Sequence, residues 1–249
     1  MRDALEQLLL PAECLLCRTL LSFSRSRRLV CDVCRHRWRP VRPPWCRRCG
    51  QPEPHFGRCR LCGGWPSPLR LARSAVWLDP EARAAVHALK YGGLPRIAQD
   101  LADAMARLEV PGRSTAWLVP IPLGPERLRQ RGYNQSERLA HALSRRWARP
   151  VVPLLVRVRE TATQTALTPE ARLANVAGAF EVRISNCGLR IGGSPVESAI
   201  RNPQSAFVLV DDVFTTGATL AEAARALERA GARTVFAVTF GRAVVPDFT

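Results

Sequence analysis

The sequence predicts an α/β protein in which a parallel sheet with flanking helices follows a small cysteine-rich N-terminal module. Beyond residue 68, short apolar runs alternate with amphipathic helical segments along the chain. Strands that alternate with helices in this way form parallel sheets with right-handed crossovers. Cysteine usage indicates the module, because eight of the nine cysteines lie between residues 14 and 62. We therefore expect two domains, residues 1–68 and residues 69–249.

The clustered cysteines form four C-x-x-C pairs: Cys14/Cys17, Cys31/Cys34, Cys46/Cys49 and Cys59/Cys62. Each pair presents two sulfurs to one tetrahedral ion, and two pairs complete a four-thiolate zinc site. Disulfides are the alternative, but a cytosolic chain argues against them, and a redox C-x-x-C normally occurs once, near a βαβ pattern. We expect a double zinc ribbon with two structural zinc ions. Sequential pairing of the C-x-x-C pairs needs only short loops and is favoured, while interleaved pairing stays open. Cys187 stands alone and is interpreted as a thiol without a role.

The chain is strongly basic, with a net charge of +16, and Lys90 is the one lysine among 37 basic residues. An excess of arginine is typical of a GC-rich genome, so a solvated basic surface is one interpretation. The other is an anionic partner such as nucleic acid or a polyphosphate. Two zinc ions bound by eight thiolates would lower the net charge to about +12.

Arginines are concentrated in the cysteine-rich module, where residues 1–68 hold 13 arginines and five acids. Trp38 and Trp45 are interleaved with them. Arginines beside aromatic residues can bind phosphates and stack on bases, which would suit single-stranded DNA. Equally, the tryptophans can be the hydrophobic core of two ribbons that have little else to bury. Both interpretations stay open from sequence alone.

Nothing in the sequence indicates a membrane span or a signal peptide. No apolar run approaches the roughly 18 residues that a transmembrane helix requires. The first 13 residues contain Asp3, Glu6 and Glu13, which are foreign to a signal peptide. We expect a short helix there, ended by Pro11, and a cytoplasmic protein.

The first elements of the second domain follow a linker predicted at Trp65-Pro66-Ser67-Pro68. A strand is expected over residues 75–78. Asp79-Pro80 begins the next helix and Gly92-Gly93 ends it. Apolar residues at positions 97, 101, 105 and 108 predict another helix. Residues 117–121 predict a strand.

The remaining elements continue the alternation of helix and strand. Asn134 and Glu137 cap a helix that carries Leu139, Leu143 and Trp147 on one face. Residues 151–156 predict a strand, with Pro153 indicating an irregular or edge position. Residues 185–205 are rich in Gly, Ser, Asn and Pro and predict a mobile surface loop. Residues 235–240 predict the last strand.

The stretch 207–219 carries the most specific chemistry in the chain. Four apolar residues, 207–210, predict a buried strand with Asp211 and Asp212 at its carboxyl end. A run of small residues, 215–219, then leads into an amphipathic helix, which Thr219-Leu-Ala-Glu222 caps and Gly231 ends. Backbone N–H groups at a helix N-terminus form an anion cradle, and ligands of parallel sheets bind beyond the carboxyl ends of the strands.

A strand-turn-helix with a glycine in the turn is common in α/β proteins, so the carboxylate pair is the informative feature. Two adjacent like charges contribute little to folding, whereas hydroxyl groups or a hydrated cation are useful partners for them. The stretch is neither a Walker loop nor a G-x-G-x-x-G loop. It closely resembles the diphosphate-sugar signature of type I phosphoribosyltransferases, an apolar strand followed by Asp-Asp and Thr-Thr-Gly-x-Thr.

Four C-x-x-C pairs before such a domain, joined to it by Leu89-Lys90-Tyr91, resemble the ComF family, named for competence protein ComF and also called the GntX family. Further motifs agree: Pro120-Ile-Pro122, Arg131-Gly-Tyr-Asn-Gln135, Gln164-Thr165, Arg172-x-x-Asn175 and Gly178-Ala-Phe180. The resemblance spans nearly the whole chain and implies a type I phosphoribosyltransferase-like sheet that binds phosphoribosyl diphosphate with Mg²⁺.

The resemblance also implies roles for individual residues. The loop of Thr215, Thr216, Gly217, Ala218 and Thr219 would bind the 5-phosphate. Asp211 and Asp212 would lie against the ribose hydroxyls and, partly through water, Mg²⁺. The loop of Ile121, Pro122 and Leu123 would hold the diphosphate. The candidates to neutralise the leaving diphosphate are Lys90, Arg131 and Arg172, for which a plain surface charge is the alternative.

Two functions are compatible with these features. One is an enzyme, a Mg²⁺-dependent phosphoribosyltransferase of nucleotide metabolism whose acceptor is unassigned. The other is a non-catalytic module that senses phosphoribosyl diphosphate and handles single-stranded DNA. The resemblance implies a role in DNA uptake during natural transformation, with DNA-uptake proteins as partners, although GntX-type members are not tied to competence. A purely structural zinc protein would leave the Asp pair unexplained.

Overall fold

A computed structural model describes residues 12–21, 28–52, 59–159, 176–183 and 196–243. Its centre is a four-stranded parallel sheet in the order β1-β6-β5-β2, which confirms the predicted fold class. The strands are β1 (Leu69–Trp77), β2 (Trp117–Pro120), β5 (Phe207–Phe214) and β6 (Val235–Arg242). Every residue of β6 is buried, because a central parallel strand is covered on both faces.

Helices cover both faces of the sheet. They are α1 (Asp32–Arg37), α2 (Pro80–Tyr91), α3 (Ala98–Met105), α4 (Pro125–Arg131), α5 (Gln135–Trp147), α6 (Val196–Arg201) and α7 (Ala218–Arg229), with a 3₁₀ turn at Pro95–Ile97. Val208 and Val210 pack in one core with α2, α3 and α5, whereas Phe207 and Leu209 pack in a second core with α7. Alternate residues of β5 therefore supply the two faces. None of the helices in the described ranges is long and apolar enough to span a bilayer.

Local signals set several element boundaries as predicted. Asp79 caps α2, since its Oδ1 accepts a hydrogen bond from the Ala82 N–H at 2.9 Å, and Gly92 ends the helix. Asn134 caps α5, where its Oδ1 accepts from the Ser136 N–H at 3.0 Å. The apolar spacing that predicted a helix through residue 108 holds only to Met105.

The predicted strand over residues 151–156 is wrong as a single element. Val151 makes one isolated parallel bridge to Leu118, and the chain bends before β3 (Leu155–Arg157). That strand pairs antiparallel with β4 (Phe180–Val182), outside the main sheet. The Leu154 N–H, the next donor toward β2, bonds instead to the Val152 carbonyl at 2.9 Å, so the pairing with the main sheet stops after one bridge.

The predicted surface loop over residues 185–205 needs a correction at its carboxyl-terminal part, because α6 (Val196–Arg201) lies inside it. Residues 160–175 and 184–195 fall outside the described part of the chain. Arg172, Gln164, Asn175 and Cys187 are therefore not placed.

The cysteine-rich module packs directly on the larger domain. In the first ribbon, which carries Cys14, Cys17, Cys31 and Cys34 (the second carries the other four clustered cysteines), Arg35 forms an ion pair with Asp103 of α3 at 2.8 Å. Trp38 is 3% exposed, and its ring lies 5.0 Å from that of Phe240 in an edge-to-face contact. Trp38 is therefore a core residue, but this core is shared with the larger domain and is not confined to the ribbons, as one interpretation of the tryptophans had it.

Candidate functional site

Asp211 and Asp212 lie inside β5 rather than after it, which corrects the predicted end of that strand. Asp211 is in register with Thr239 of β6, and the pairing continues to Phe214 and Arg242. The neighbour on the other side, β2, stops at Pro120, after a last hydrogen bond from the Ile121 N–H to the Val210 carbonyl at 3.0 Å. The carboxylates thus lie where β5 extends past its shorter neighbour.

Each carboxylate is held by a different helix. Asp211 Oδ1 accepts hydrogen bonds from the Ser136 hydroxyl at 2.8 Å and from the Asp212 N–H at 2.9 Å. Ser136 lies in the first turn of α5. Asp212 Oδ2 is 2.5 Å from Nζ of Lys90, in the last turn of α2. The site therefore brings together the ends of two helices and the middle of the sheet.

The charges of these groups are strongly coupled. Burial and the neighbouring charge of Asp212 raise the pKa of Asp211 to about 7, against the opposing effect of the Ser136 hydrogen bond. Burial disfavours the charge of Lys90, but Asp212 and Asp211 outweigh it and raise the pKa of the ammonium group. One lysine therefore faces two buried carboxylates. Hard carboxylate oxygens that one lysine does not fully neutralise are suitable ligands for Mg²⁺, the ion that the family resemblance implies.

The 215–219 loop connects β5 to α7 through a left-handed glycine. Gly217 has φ 77° and directly precedes the helix, which begins at Ala218. Thr216 Oγ1 accepts a hydrogen bond from the Ala218 N–H at 3.4 Å. A Cβ at Gly217 would lie 2.9 Å from the side chains of both Phe214 and Trp65. The glycine is therefore required by the backbone conformation and by the close packing beneath the loop.

The predicted capping box of Thr219 and Glu222 is wrong. The helix begins one residue before Thr219, so Glu222 cannot reach back to an N-cap there. Glu222 is instead buried, accepts a hydrogen bond from the Gly178 N–H at 3.1 Å, and pairs with Arg225 at 3.3 Å. Its role is to tie α7 to the segment that leads into β4.

The predicted diphosphate loop lies against the N-terminus of α5. The Ile121 carbonyl accepts a hydrogen bond from Nδ2 of Asn134 at 3.0 Å, two residues from Ser136. Ile121 is buried, while Pro122 and Leu123 are partly exposed. Ile121 and Asp211 therefore both contact the N-terminal end of α5.

Arg131 lies at the end of α4 and faces two neighbours. Its guanidinium is 5.2 Å from the centroid of the Tyr91 ring and donates a hydrogen bond to Oε1 of Gln135. Tyr91 is 68% exposed and follows Lys90 directly. Arg131 and Lys90 are thus brought close through Tyr91, without an ion pair from Arg131 to the carboxylates among the described residues.

Sequence reasoning did not single out Ser136 or Tyr133. The Tyr133 hydroxyl donates to the Leu89 carbonyl at 2.5 Å and so holds the end of α2 beside the site. Both residues follow Arg131 closely in the chain, in or directly after a motif that the sequence had marked. Their partners are distant in sequence, and no local signal identifies them.

The eight cysteines form two compact four-thiolate clusters. They are Cys14, Cys17, Cys31 and Cys34, and Cys46, Cys49, Cys59 and Cys62. Within each cluster, all sulfurs lie within 4.8 Å of one another, and single pairs such as Cys17–Cys31 and Cys49–Cys59 are 3.6 Å apart. A disulfide requires about 2.0 Å, whereas Zn–S bonds of about 2.3 Å place tetrahedral sulfurs about 3.8 Å apart. The clusters fit zinc, and the C-x-x-C pairs combine sequentially, as predicted.

Backbone N–H groups favour the thiolate form of at least one of these cysteines, Cys14. Burial disfavours the Cys14 thiolate, but the N–H groups of Cys31, Cys17 and Leu16 outweigh burial and lower the pKa of Cys14 to about 7. The thiolate is the form that binds zinc.

The second cluster is attached to the sheet and to the 215–219 loop by arginines and an aromatic ring. Arg242 is 2% exposed and donates to the Cys49 carbonyl and to Oε1 of Gln51, both at 2.8 Å. Its guanidinium lies 4.4 Å from the centroid of the Phe214 ring. Trp65, predicted to lie in a linker, is buried against the same Phe214 ring at 6.1 Å.

A basic cleft of about 530 Å³ opens on the second ribbon. It is lined by Arg47, Arg48, Trp65, Ser67 and Arg70. The surrounding stretches, residues 37–52 and 59–78, contain eight arginines and no acidic residue. Three of the five residues that line the cleft are arginines, so the cleft is positively charged.

Comparisons with known proteins match the cysteine-rich module and, separately, nearly the whole chain. The double zinc ribbon domain family matches residues 5–63. DNA utilization protein YhgH of Salmonella typhimurium is 35% identical over 243 residues, which cover 92% of this chain and 96% of that protein.

Two competence proteins are more distant relatives. Competence protein ComFC of Bacillus subtilis is 28% identical over 212 residues, 81% of this chain and 79% of that protein. Competence protein F of Haemophilus influenzae is 26% identical over 239 residues, 88% and 91% of the two chains. With matches of this extent and a double zinc ribbon at the N-terminus, the chain belongs to the ComF family.

Proposed function

We propose that the protein binds phosphoribosyl diphosphate together with Mg²⁺ and works in the use of DNA that enters the cell. One observation supports this choice of ligand: the buried pair Asp211–Asp212 lies beside the glycine loop that precedes α7. The names of the relatives, DNA utilization protein and competence protein, support the cellular role.

The 215–219 loop would receive the 5-phosphate. Backbone N–H groups at the start of α7 have no partner within the helix, and the helix dipole favours an anion there. The left-handed Gly217 turns the chain so that the loop enters the helix without a side chain at its tightest point. Thr215, Thr216 and Thr219 add hydroxyl donors of the kind that phosphate oxygens accept.

The acid pair would hold the ribose hydroxyls and the metal. Carboxylate oxygens accept hydrogen bonds from hydroxyl groups, and Ser136 already donates one to Asp211. Bound Mg²⁺ would neutralise charge on the diphosphate while keeping several of its waters. Ile121 contacts the cap of α5 through Asn134, and residues 121–123 would receive the diphosphate there. Lys90 and Arg131 would add positive charge on that side.

Binding of phosphoribosyl diphosphate is tested by thermal unfolding with and without the ligand and Mg²⁺. The wild type is expected to be stabilised, because a ligand that binds only the folded state raises the unfolding free energy. The double variant Asp211→Asn/Asp212→Asn should lose this stabilisation. Asp32→Asn is the matched control, since Asp32 lies in the first ribbon and pairs with Arg28. An unstabilised wild type would refute the proposal.

The fate of the diphosphate then separates an enzyme from a binding module. A phosphoribosyltransferase releases diphosphate when an acceptor attacks the anomeric carbon, and a sensor keeps its ligand intact. Positioning and electrostatic stabilisation would supply most of the catalysis, because the leaving group departs from a centre that becomes positive. Pyrophosphate release in the presence of nucleobases and of single-stranded DNA is the measurement that distinguishes them.

The basic cleft favours a second function, binding of single-stranded DNA by the second ribbon. Arg47 and Arg70 are exposed at the cleft and available to phosphates, whereas Arg48 is occupied by backbone carbonyls, including that of Leu69 at 3.1 Å. Binding through phosphates releases counterions, so log affinity falls linearly with log salt concentration.

The DNA-binding hypothesis is tested by fluorescence anisotropy with labelled oligonucleotides at several salt concentrations. The double variant Arg47→Ala/Arg70→Ala should bind more weakly and show a smaller salt slope than the wild type. Arg83→Ala removes an exposed arginine of α2, away from the cleft, and should leave affinity nearly unchanged. Binding that is absent, or independent of salt, would contradict this function.

A further inference from the structure

The identity of residue 90 is the starting point. The chain has 37 basic residues, and Lys90 is the one lysine among them. Arginine is a broad planar cation, whereas lysine is a compact ammonium on a flexible stem of four carbons. A chain that uses arginine at its other basic positions, yet carries lysine beside the acid pair, indicates that this position needs the smaller and more mobile cation.

The geometry shows what the ammonium does in the protein without ligand. Nζ of Lys90 is 2.5 Å from Oδ2 of Asp212, whose side chain is 5% exposed. The backbone that carries Lys90 is fixed, because the preceding residue, Leu89, accepts the hydrogen bond from Tyr133. Gly92 and Gly93, which follow Tyr91, end α2. The ammonium therefore occupies the position beside Asp212 that a metal ion bound there would need.

Charge balance explains why the pair tolerates burial. Two adjacent carboxylates in a buried strand repel each other and lose hydration, and an uncompensated buried charge is strongly destabilising. Lys90 supplies one positive charge to the pair. Mg²⁺ would replace the positive charge of Lys90, because both cations would bind the same carboxylate oxygen.

We propose that Lys90 is a built-in counter-cation of the acid pair. It prevents Mg²⁺ from binding there when no diphosphate is present, and it is displaced when Mg²⁺ binds together with a diphosphate. The released ammonium has a new partner only in that case, since its flexible stem can carry it from Asp212 to a diphosphate oxygen. Metal and diphosphate then bind together and not separately. The second half of this inference rests on the proposed function, whereas the exclusion of free metal does not.

The exclusion of metal is tested with Mn²⁺, a paramagnetic stand-in for Mg²⁺, on protein whose zinc sites are filled. Electron paramagnetic resonance of free Mn²⁺ gives the binding affinity without any phosphate ligand. Lys90→Met is expected to bind Mn²⁺ at least about tenfold more tightly than the wild type, because a positive charge within a few ångströms of the metal is removed. Lys90→Met/Asp212→Asn should return to weak binding. Equal affinity of Lys90→Met and the wild type would overturn the proposal.

A second measurement uses the wild type and so does not depend on the folding of a variant. Protein grown with side-chain ¹⁵N-labelled lysine has a single labelled ammonium group, since the chain holds one lysine. Its nuclear magnetic resonance signal should stay in place with Mg²⁺ alone and shift when Mg²⁺ and phosphoribosyl diphosphate are added together. A signal that moves with Mg²⁺ alone, or stays in place once thermal unfolding has shown that the ligand binds, would overturn the proposal.

Failure of the proposed function is distinguishable from failure of this inference. If phosphoribosyl diphosphate does not stabilise the wild type, the ligand is wrong. The Mn²⁺ comparison still decides whether Lys90 excludes metal from the acid pair, because it uses no phosphate compound.

Discussion

Trp65 of the zinc-ribbon module lies against Gly217 of the candidate phosphate loop, so closely that a Cβ at Gly217 would come within 2.9 Å of the indole ring. Phe214 lies on the same side at the same distance. The loop that would hold the 5-phosphate is therefore supported from beneath by the end of the second ribbon. This contact links the zinc sites to the candidate ligand site.

The first prediction concerns Gly217→Ala. The substitution places a Cβ at φ 77° and against two aromatic rings. We expect a loss of about 2–5 kcal/mol in the free energy of unfolding, from left-handed backbone strain and overpacking together. Denaturant unfolding measures it. The matched control is Gly132→Ala, which has φ 78° with nothing within 4 Å of the added Cβ and should lose only about 1–2 kcal/mol. Equal losses would show that the contact with Trp65 is unimportant.

The second prediction compares the two zinc sites. Cys17→Ser and Cys59→Ser should each lower the zinc content from two ions to one. Loss of the second zinc should speed hydrogen exchange of the amides in residues 214–221, because the second ribbon supports that loop. Loss of the first should instead affect α3, where Asp100 accepts a hydrogen bond from the Leu29 N–H at 3.1 Å. The idea fails if both variants change the loop equally.

Sequence reasoning succeeded where the signal is local. The C-x-x-C pairs, the Asp79 cap and the alternation of strand and helix each depend on a few neighbouring residues, and the structure confirms them. A resemblance over the whole chain then supplied the fold that these signals leave open.

Sequence reasoning missed the features that depend on contacts between residues far apart in the chain. The length of β5 depends on pairing of Phe214 with Arg242, which nothing in residues 207–214 reveals. Glu222 matches a capping box in sequence, yet its partner is the N–H of Gly178, 44 residues away in the chain. Ser136 and Lys90 meet the acid pair only because α5 begins, and α2 ends, at the same edge of the sheet.

The third prediction concerns Arg242→Met. The methionine would fill much of the buried volume but would remove the hydrogen bonds that Arg242 donates to the Cys49 carbonyl and to Oε1 of Gln51. We expect a loss of about 1–3 kcal/mol for each acceptor left unsatisfied. Denaturant unfolding measures the loss. Arg60→Met, an exposed arginine of the same ribbon, is the control and should lie within about 0.5 kcal/mol of the wild type. A variant as stable as the control would contradict the inferred role of Arg242.

The last prediction is a pH dependence of the stability of the protein without ligand or Mg²⁺. The pKa of Asp211 is raised from its ordinary 3.8 to about 7 by burial and by the charge of Asp212. The folded state therefore binds a proton more tightly than the unfolded state. Its contribution to stability is complete below about pH 4 and is lost as the pH rises to about 7. Ser136 and Lys90 oppose this shift from the neighbouring helices, by a hydrogen bond and by positive charge.

Asp211→Asn tests this dependence, because the amide is neutral at every pH and its Oδ1 can still accept the hydrogen bonds from Ser136 and from the Asp212 N–H. At pH 8 the variant should be more stable than the wild type, by an amount on the order of a few kcal/mol. The difference should shrink as the pH falls towards 4. Denaturant unfolding across this range measures it, with Asp32→Asn as the control. A wild type that stays as stable as Asp211→Asn at pH 8 would show that Asp211 is ionised in the folded protein at little cost, and that Lys90 alone compensates both carboxylates.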